Sequence, residues 1–211
     1  MNRRTLLATC ASTGLTATAG CLGRFRPGSA DETSDENADE LEGYVRPDHE
    51  PEVRPPELEC ERVEDDEYER HPPRYQDIQL GGMENFSLRV TDLAFEYGDT
   101  AEITLRNDTS ETKQRGPRDE FNLEVYTTEG WQDVRVWIAD HPLAYPDAAF
   151  PVEPGETVSW DIELTEDGVS ESSMEGIDVC PPLETGRYRF AVPLTTPGVD
   201  IAVEFDLSRD S

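Results

Sequence analysis

The stretch 199–208, VDIAVEFDLS, decides the fold. Val199, Ile201, Val203, Phe205 and Leu207 fall on every second position, with Asp200, Glu204, Asp206 and Ser208 among the residues between them. A period of two puts the apolar side chains on one face of a strand and the polar ones on the other. The same alternation recurs upstream. In GRYRFAVPL, Tyr188, Phe190, Val192 and Leu194 share a face, and Pro193, which lacks an N–H, predicts that this strand lies at an edge or is bulged there. In ETVSWDIEL the inward set is Val158, Trp160, Ile162 and Leu164; in WQDVRVWIA it is Val134, Val136 and Ile138. In EFNLEVYT it is Phe121, Leu123 and Val125, and in DTAEITLRND it is Ala101, Ile103 and Leu105. Phe86, Leu88 and Val90 open the series, followed by Leu93, Phe95 and Tyr97 in the other register, which predicts a bulge or bend near Thr91 and Asp92. No amphipathic helix of useful length appears. About seven strands with turn residues between them predict an all-β chain folded as a single antiparallel β-sandwich over residues 78–211.

Residues 22–77 read differently. From Asp31 to Glu69 eighteen acids face three arginines, Arg46, Arg54 and Arg62, and prolines recur at 47, 51, 55, 56, 72 and 73. Such a stretch offers too little apolar surface to offset its ordering entropy. It is expected to be a disordered acidic tether ahead of the sandwich, running from residue 21 to 77.

The whole chain carries 18 basic and 47 acidic residues, a net charge of −29, and Lys113 is its single lysine. Nonspecific nucleic-acid binding needs positive charge to displace counterions, so that class is excluded. Electrostatic docking to anionic lipid is excluded on the same ground. At molar salt the Debye length falls to about 3 Å, which removes most of the self-repulsion.

The opening MNRRTLLATCASTGLTATAGC has a charged start at Arg3 and Arg4, a mildly apolar run and a small-residue end. It is too short and too polar to span a membrane, and it has the organisation of an export signal. Arg3 and Arg4 followed by Thr5, Leu6 and Leu7 resemble a twin-arginine signal. Thr18-Ala19-Gly20-Cys21 resembles a lipobox, which implies removal of residues 1–20 and a lipid on the Cys21 sulfur. Stable anchoring generally takes two chains or an added signal, so a diacyl- or diether-type lipid is implied. The acidity, near-absence of lysine and leader together resemble exported proteins of halophilic archaea.

The sandwich region carries a second resemblance. Asn107-Asp108-Thr109 ends a strand, Leu123-Glu124 leads to Gly130-Trp131, Pro154-Gly155-Glu156 forms a turn, and Gly186, Tyr188 and Arg189 mark a late strand. These resemble a bacterial immunoglobulin-like domain of exported proteins and lipoproteins, over roughly residues 84–207. The resemblance implies an immunoglobulin-like sandwich and transfers no catalytic residue.

Cys10 lies in the leader, which leaves Cys60 and Cys180 outside the clear alternation. In an oxidising compartment two such cysteines predict a disulfide, worth roughly 4–5 kcal/mol in the chain-entropy model. His49, His71 and His141 have no metal-ligand spacing, and no metal or other cofactor is expected. Asp140 and Asp147 read as solvated loop acids. Asn85-Phe86-Ser87 and Asn107-Asp108-Thr109 are glycosylation sequons, making Asn85 and Asn107 candidate sites. No nucleophile elbow, phosphate loop or EF-hand series is present. These features point to a non-catalytic module, held to the extracytoplasmic face of the cell membrane through Cys21, that contacts an extracellular protein partner. The alternative is an accessory substrate- or cation-binding lipoprotein serving a transporter or secreted enzyme.

Overall fold

A computed structural model describes residues 41–73, 78–83, 85–140, 148–194 and 200–210. Two β-layers enclose one core. The smaller layer is formed by β12 (Thr157–Glu163), β6 (Thr100–Asn107), β4 (Phe86–Val90) and β3 (Gly82–Met83), in that order. The larger is β2 (Ile78–Leu80), β15 (Asp200–Ser208), β14 (Gly186–Pro193), β8 (Asn122–Thr127) and β9 (Gly130–Asp133), with β5 (Ala94–Glu96) also on β15. All pairs in these layers are antiparallel except β2 and β5, which run parallel to β15. The chain is an all-β, immunoglobulin-like sandwich.

The alternation predicts which side chains fill the space between the layers. Leu88, Ile103, Leu105, Phe121, Leu123, Ile162, Phe190, Ile201, Val203 and Phe205 are essentially without exposed surface. Each such side chain contributes about 1.5–3 kcal/mol relative to exposure. Tyr188 packs in the same core and turns its hydroxyl back on the chain, donating to the Glu184 carbonyl at 2.8 Å and accepting from the Glu184 N–H at 3.0 Å. This is the tyrosine corner of immunoglobulin-like sandwiches. Burial pushes the Tyr188 phenol far up, so it keeps the proton it donates.

At Thr91-Asp92 the chain does more than bend. It leaves β4 in the smaller layer and joins β15 in the larger one as β5. Gly81 and Gly82 make the reverse crossing between β2 and β3, with φ of +75° and +121°. A Cβ on Gly82 would lie 2.1 Å from the Phe86 carbonyl oxygen, so only glycine fits there. Pro193 does not mark an edge. Its strand β14 is central, between β15 and β8, and the proline sits beyond Ala191, the last residue paired with β8. The proline therefore falls where no β8 partner remains.

Ile138 also departs from expectation, being 37% exposed. Its strand β10 (Arg135–Ile138) leaves the main layer and forms a separate small sheet with β1 (Tyr68–Arg70) and β13 (Ile177–Val179). β7 (Lys113–Arg115) and β11 (Phe150–Val152) form a two-stranded ribbon. Two short helices complete the described residues: α1 (Glu61–Glu64), and α2 (Glu166–Ser172), which Thr165 caps by accepting from the Gly168 N–H at 3.0 Å.

The largest correction concerns the tether. Residues 41–73 are not a disordered spacer: one compact unit spans Asp39–Ser211. Composition misleads here because the many acids point outward while a few residues point in. Pro47, Pro55, Cys60 and His71 are buried, and Glu42, Glu50, Glu57, Glu61 and Glu64 are exposed or nearly so. The segment behaves as a strap laid against the sandwich. Residues 1–40, including the expected leader, lie outside the described residues.

Candidate functional site

The strap begins at the open edge between the layers. Tyr44 exchanges two backbone hydrogen bonds with Val90 of β4, at 2.8 and 3.0 Å, and the Val45 carbonyl accepts from the Glu204 N–H of β15 at 2.8 Å. Two adjacent residues thus join one layer to the other. The strap then crosses the outer face of the larger layer. There Arg187 donates to the His49 carbonyl at 2.9 Å, Arg54 stacks on the Tyr126 ring at 4.7 Å, and the Pro55 carbonyl accepts from the Thr128 N–H at 2.9 Å. Leu58 N–H donates to Gln132 Oε1 at 2.8 Å.

Cys60 and Cys180 are joined by a disulfide with Cα atoms 5.7 Å apart. Beside it Arg70 donates to three carbonyls, those of Cys180 (2.8 Å), Asp133 (3.0 Å) and Leu58 (3.2 Å). Burial lowers the Arg70 guanidinium pKa, and the Asp133 charge opposes that. Arg62 grips β13 through Asp178 at 2.5 Å and the Val179 carbonyl at 3.2 Å.

Beneath the strap lies a buried ionic layer. On β8 and β14 the outward positions Glu124 and Arg189 pair across the strands, the Arg189 Nε donating at 2.9 Å, and the Arg189 guanidinium covers Trp131 at 4.3 Å. Further along, Asp133 accepts from Arg135 Nε and Nη2 at 3.0 and 2.9 Å, and from the Arg135 backbone N–H at 2.9 Å. Neither residue has exposed surface. Burial pushes the Asp133 carboxyl up, and the Arg135 guanidinium acts against that shift. His71 Nδ1 lies 3.5 Å from Asp133 Oδ2, with the ring edge-on to Trp137. The sequence assigns His71 no metal-ligand spacing, and this layer was missed. Its signal was present: Glu124, Arg187, Arg189 and Glu204 occupy outward positions of neighbouring strands, where opposite charges pair.

The predicted site residues distribute as follows. Arg3, Arg4, Cys21, His141 and Asp147 lie outside the described residues. Asp140 is exposed, and Asn85 is half-buried in the turn entering β4. Asn107 is corrected. It is fully buried, its amide nitrogen donates to the Glu111 and Val152 carbonyls at 2.8 Å each, and its amide oxygen accepts from Thr109. A side chain that ties the loop at Thr109 and Glu111 to the end of β11 through its amide hydrogens has no free N–H to carry a glycan.

Three surface features could receive a ligand or partner. A cleft of about 350 Å³ beside the strap is lined by Arg46, His49, Glu50, Tyr126, Trp131 and Glu204. Burial pushes the Glu204 carboxyl up, partly offset by Arg187. A smaller cleft of about 150 Å³ lies across His49 and Arg187, against Val53, Phe95 and Leu207. No group of three or more metal-ligating side chains occurs among the described residues.

The third feature is the outer edge of β12. The Asn107 N–H donates to the Glu156 carbonyl at 3.1 Å and the Leu164 N–H to the Asp99 carbonyl at 2.8 Å. With the register between these points, the even-numbered residues Val158, Trp160 and Ile162 bond β6. The peptide groups of Thr157, Ser159 and Asp161 therefore point away from the sheet. Among the described residues no strand pairs with that edge.

No protein-family model matches the chain, and no curated protein matches it. Among solved structures, a β-glucosidase from Listeria innocua matches at 17% identity and a TM-score of 0.29, over 58% of this chain and 16% of that one. The sulfur carrier protein SoxY from Chlorobium limicola f thiosulfatophilum matches at 10% identity and a TM-score of 0.26, over 65% of this chain and 87% of that one. Likenesses this low carry no argument about function.

Proposed function

We propose that this protein is a non-catalytic contact module, held by a lipid on Cys21 at the extracytoplasmic face of the cell membrane, whose sandwich binds an extracellular protein partner. The observation that supports this most directly is the outer edge of β12, with which no strand pairs among the described residues. Exposed sheet edges are aggregation hazards, and proteins usually cover them, shorten them or place charges on them. Here β12 runs seven residues, Thr157–Glu163, with three outward-directed peptide groups, and Asp161 and Glu163 place negative charge along it, which disfavours self-pairing and leaves the edge to a partner of opposite charge. The disulfide and the strap stiffen the frame that presents it. Glu124 and Arg189, Asp133 and Arg135, and Arg187 with Asp206 are engaged with one another, which fits a structural role.

Two measurements test the reading. Cys21→Ser should release the protein from the membrane fraction into the medium. Crosslinking on intact cells followed by mass spectrometry should return partner peptides joined to the sandwich. Retention of the Cys21→Ser variant in the cytosol, or no crosslinked partner, sinks it.

A second reading is favoured by the cleft of about 350 Å³ beside the strap, where Glu204, Arg46 and Trp131 line one space. It makes the chain an accessory binding protein for a small polar ligand or cation. A ligand-dependent rise in melting temperature that Glu204→Gln abolishes would establish it.

A further inference from the structure

We infer that the partner enters the edge of β12 as an extended segment in which lysine or arginine alternates with apolar side chains. This rests on the contact-module reading and names the chemistry of the partner. A strand added to an edge gains affinity from main-chain hydrogen bonds and specificity from alternate side chains. The odd residues of β12 send their peptide groups to the open edge and their side chains to the solvent face. Those side chains are Thr157, Ser159, Asp161 and Glu163, and Thr157, Asp161 and Glu163 are exposed. Opposite charges directly across a strand pair contribute about 0.2–1 kcal/mol each, and like charges oppose pairing. Cationic side chains on the solvent face of the incoming strand therefore fit.

The other face of the incoming strand meets a different surface. A cleft of about 340 Å³ runs beside the edge, lined by Arg118, Asp119, Asp161, Glu171, Ser172 and Ser173, with the nearly buried Trp160 and Ile162 at its base, where the core layer ends. Trp160 is fixed there, its indole N–H donating to the Arg118 carbonyl at 2.7 Å. Alternate apolar side chains of the incoming strand meet this base. A second copy of the chain is a poor occupant. Two β12 edges side by side put the four carboxylates of Asp161 and Glu163 on one face of a two-stranded seam, on molecules that each carry a net charge of −29.

The experiment uses the full chain with ten-residue synthetic peptides of alternating arginine and valine, or of alternating glutamate and valine. Calorimetry and amide hydrogen exchange are read at low salt. The arginine–valine peptide should bind and slow exchange at Thr157, Ser159 and Asp161 by about tenfold or more, and the glutamate–valine peptide should not bind. Ser159→Pro removes an outward N–H without touching the bonds to β6, and should weaken binding about tenfold, equivalent to about 1.4 kcal/mol. Asp161→Lys should weaken the arginine–valine peptide and admit the glutamate–valine one, a reversal that needs no proline. Equal binding of both peptides, no binding of either, or slowed exchange confined to the strap overturns the assignment. If the peptides fail while cell crosslinks map elsewhere on the sandwich, the edge assignment falls and the contact reading stands. If no crosslinked partner is found, the contact reading itself falls.

Discussion

Asp133 and Arg135 lie two residues apart on the chain, and both are sealed from solvent. Breaking a buried pair by removing one partner typically costs 3–5 kcal/mol, because the remaining charge loses its compensation. Asp133→Ala should therefore lower unfolding free energy by about 3–5 kcal/mol, read as a shift in urea midpoint at unchanged slope. Glu166 tests the acid side. Partial burial pushes its carboxyl up, but hydrogen bonds from Tyr97, Arg209 (2.7 Å) and the Leu183 N–H (2.9 Å) outweigh this and hold it below the usual carboxylate range. A carboxyl lowered by folding stabilises fully above its unfolded pKa, near 4.3, and loses that contribution as pH falls through the lower folded value. Glu166→Gln should cost about 1–2 kcal/mol at pH 7. The stabilities of the two proteins should converge as pH falls below the unfolded value and through the lower folded one. Divergence at low pH would contradict the assignment. None of these pairings was readable from sequence, because an aspartate at a strand end looks the same whether solvent or a guanidinium meets it.

The strands were legible as elements and the strap was not. β4, β6, β8, β12, β14 and β15 follow the alternation because one face of each meets the apolar core, even where the strap also covers the outer face of β8 and β14, and the core selects apolar residues at every second position. The strap carries no such period. Its contacts are made by backbone carbonyls, two prolines, a cysteine and arginines, and backbone groups leave no trace in composition. Cys60→Ser with Cys180→Ser should lower stability by about 2–5 kcal/mol and speed amide exchange in residues 61–70 more than in β14. Uniform loss across the molecule would mean that the strap and sandwich open as one. Gly82→Ala tests the crossing between layers. With φ at +121° and the Phe86 carbonyl in the way, it should cost about 2–4 kcal/mol by urea denaturation. The β12 edge was half legible: alternation located the strand, but nothing in its sequence says which neighbours it lacks.

At the scale of the whole molecule, charge governs behaviour. With 47 acids against 18 bases, and many of the arginines committed to pairs at the strap and outer sheet face, the exposed surface is more one-sided than the totals suggest. Raising salt from 0.1 to 2 M should raise the melting temperature by about 5 °C or more, since each kcal/mol relieved is worth about 2–4 °C at this size. A melting temperature that falls with salt would show that attraction, not repulsion, dominates the surface. The sequence by itself determined the all-β sandwich and its core, because a strand buried on one face writes a period of two into its side chains. It also determined the sign of the charge, and with it the exclusion of nonspecific nucleic-acid binding. Only the tertiary structure decided that residues 41–73 bind the sandwich, that Asp133 and Arg135 are sealed together, that Asn107 is a buried cross-link, and that among the described residues no strand pairs with the outer edge of β12. Those outcomes depend on which backbone groups and which distant side chains meet in space, and such meetings have no period to read.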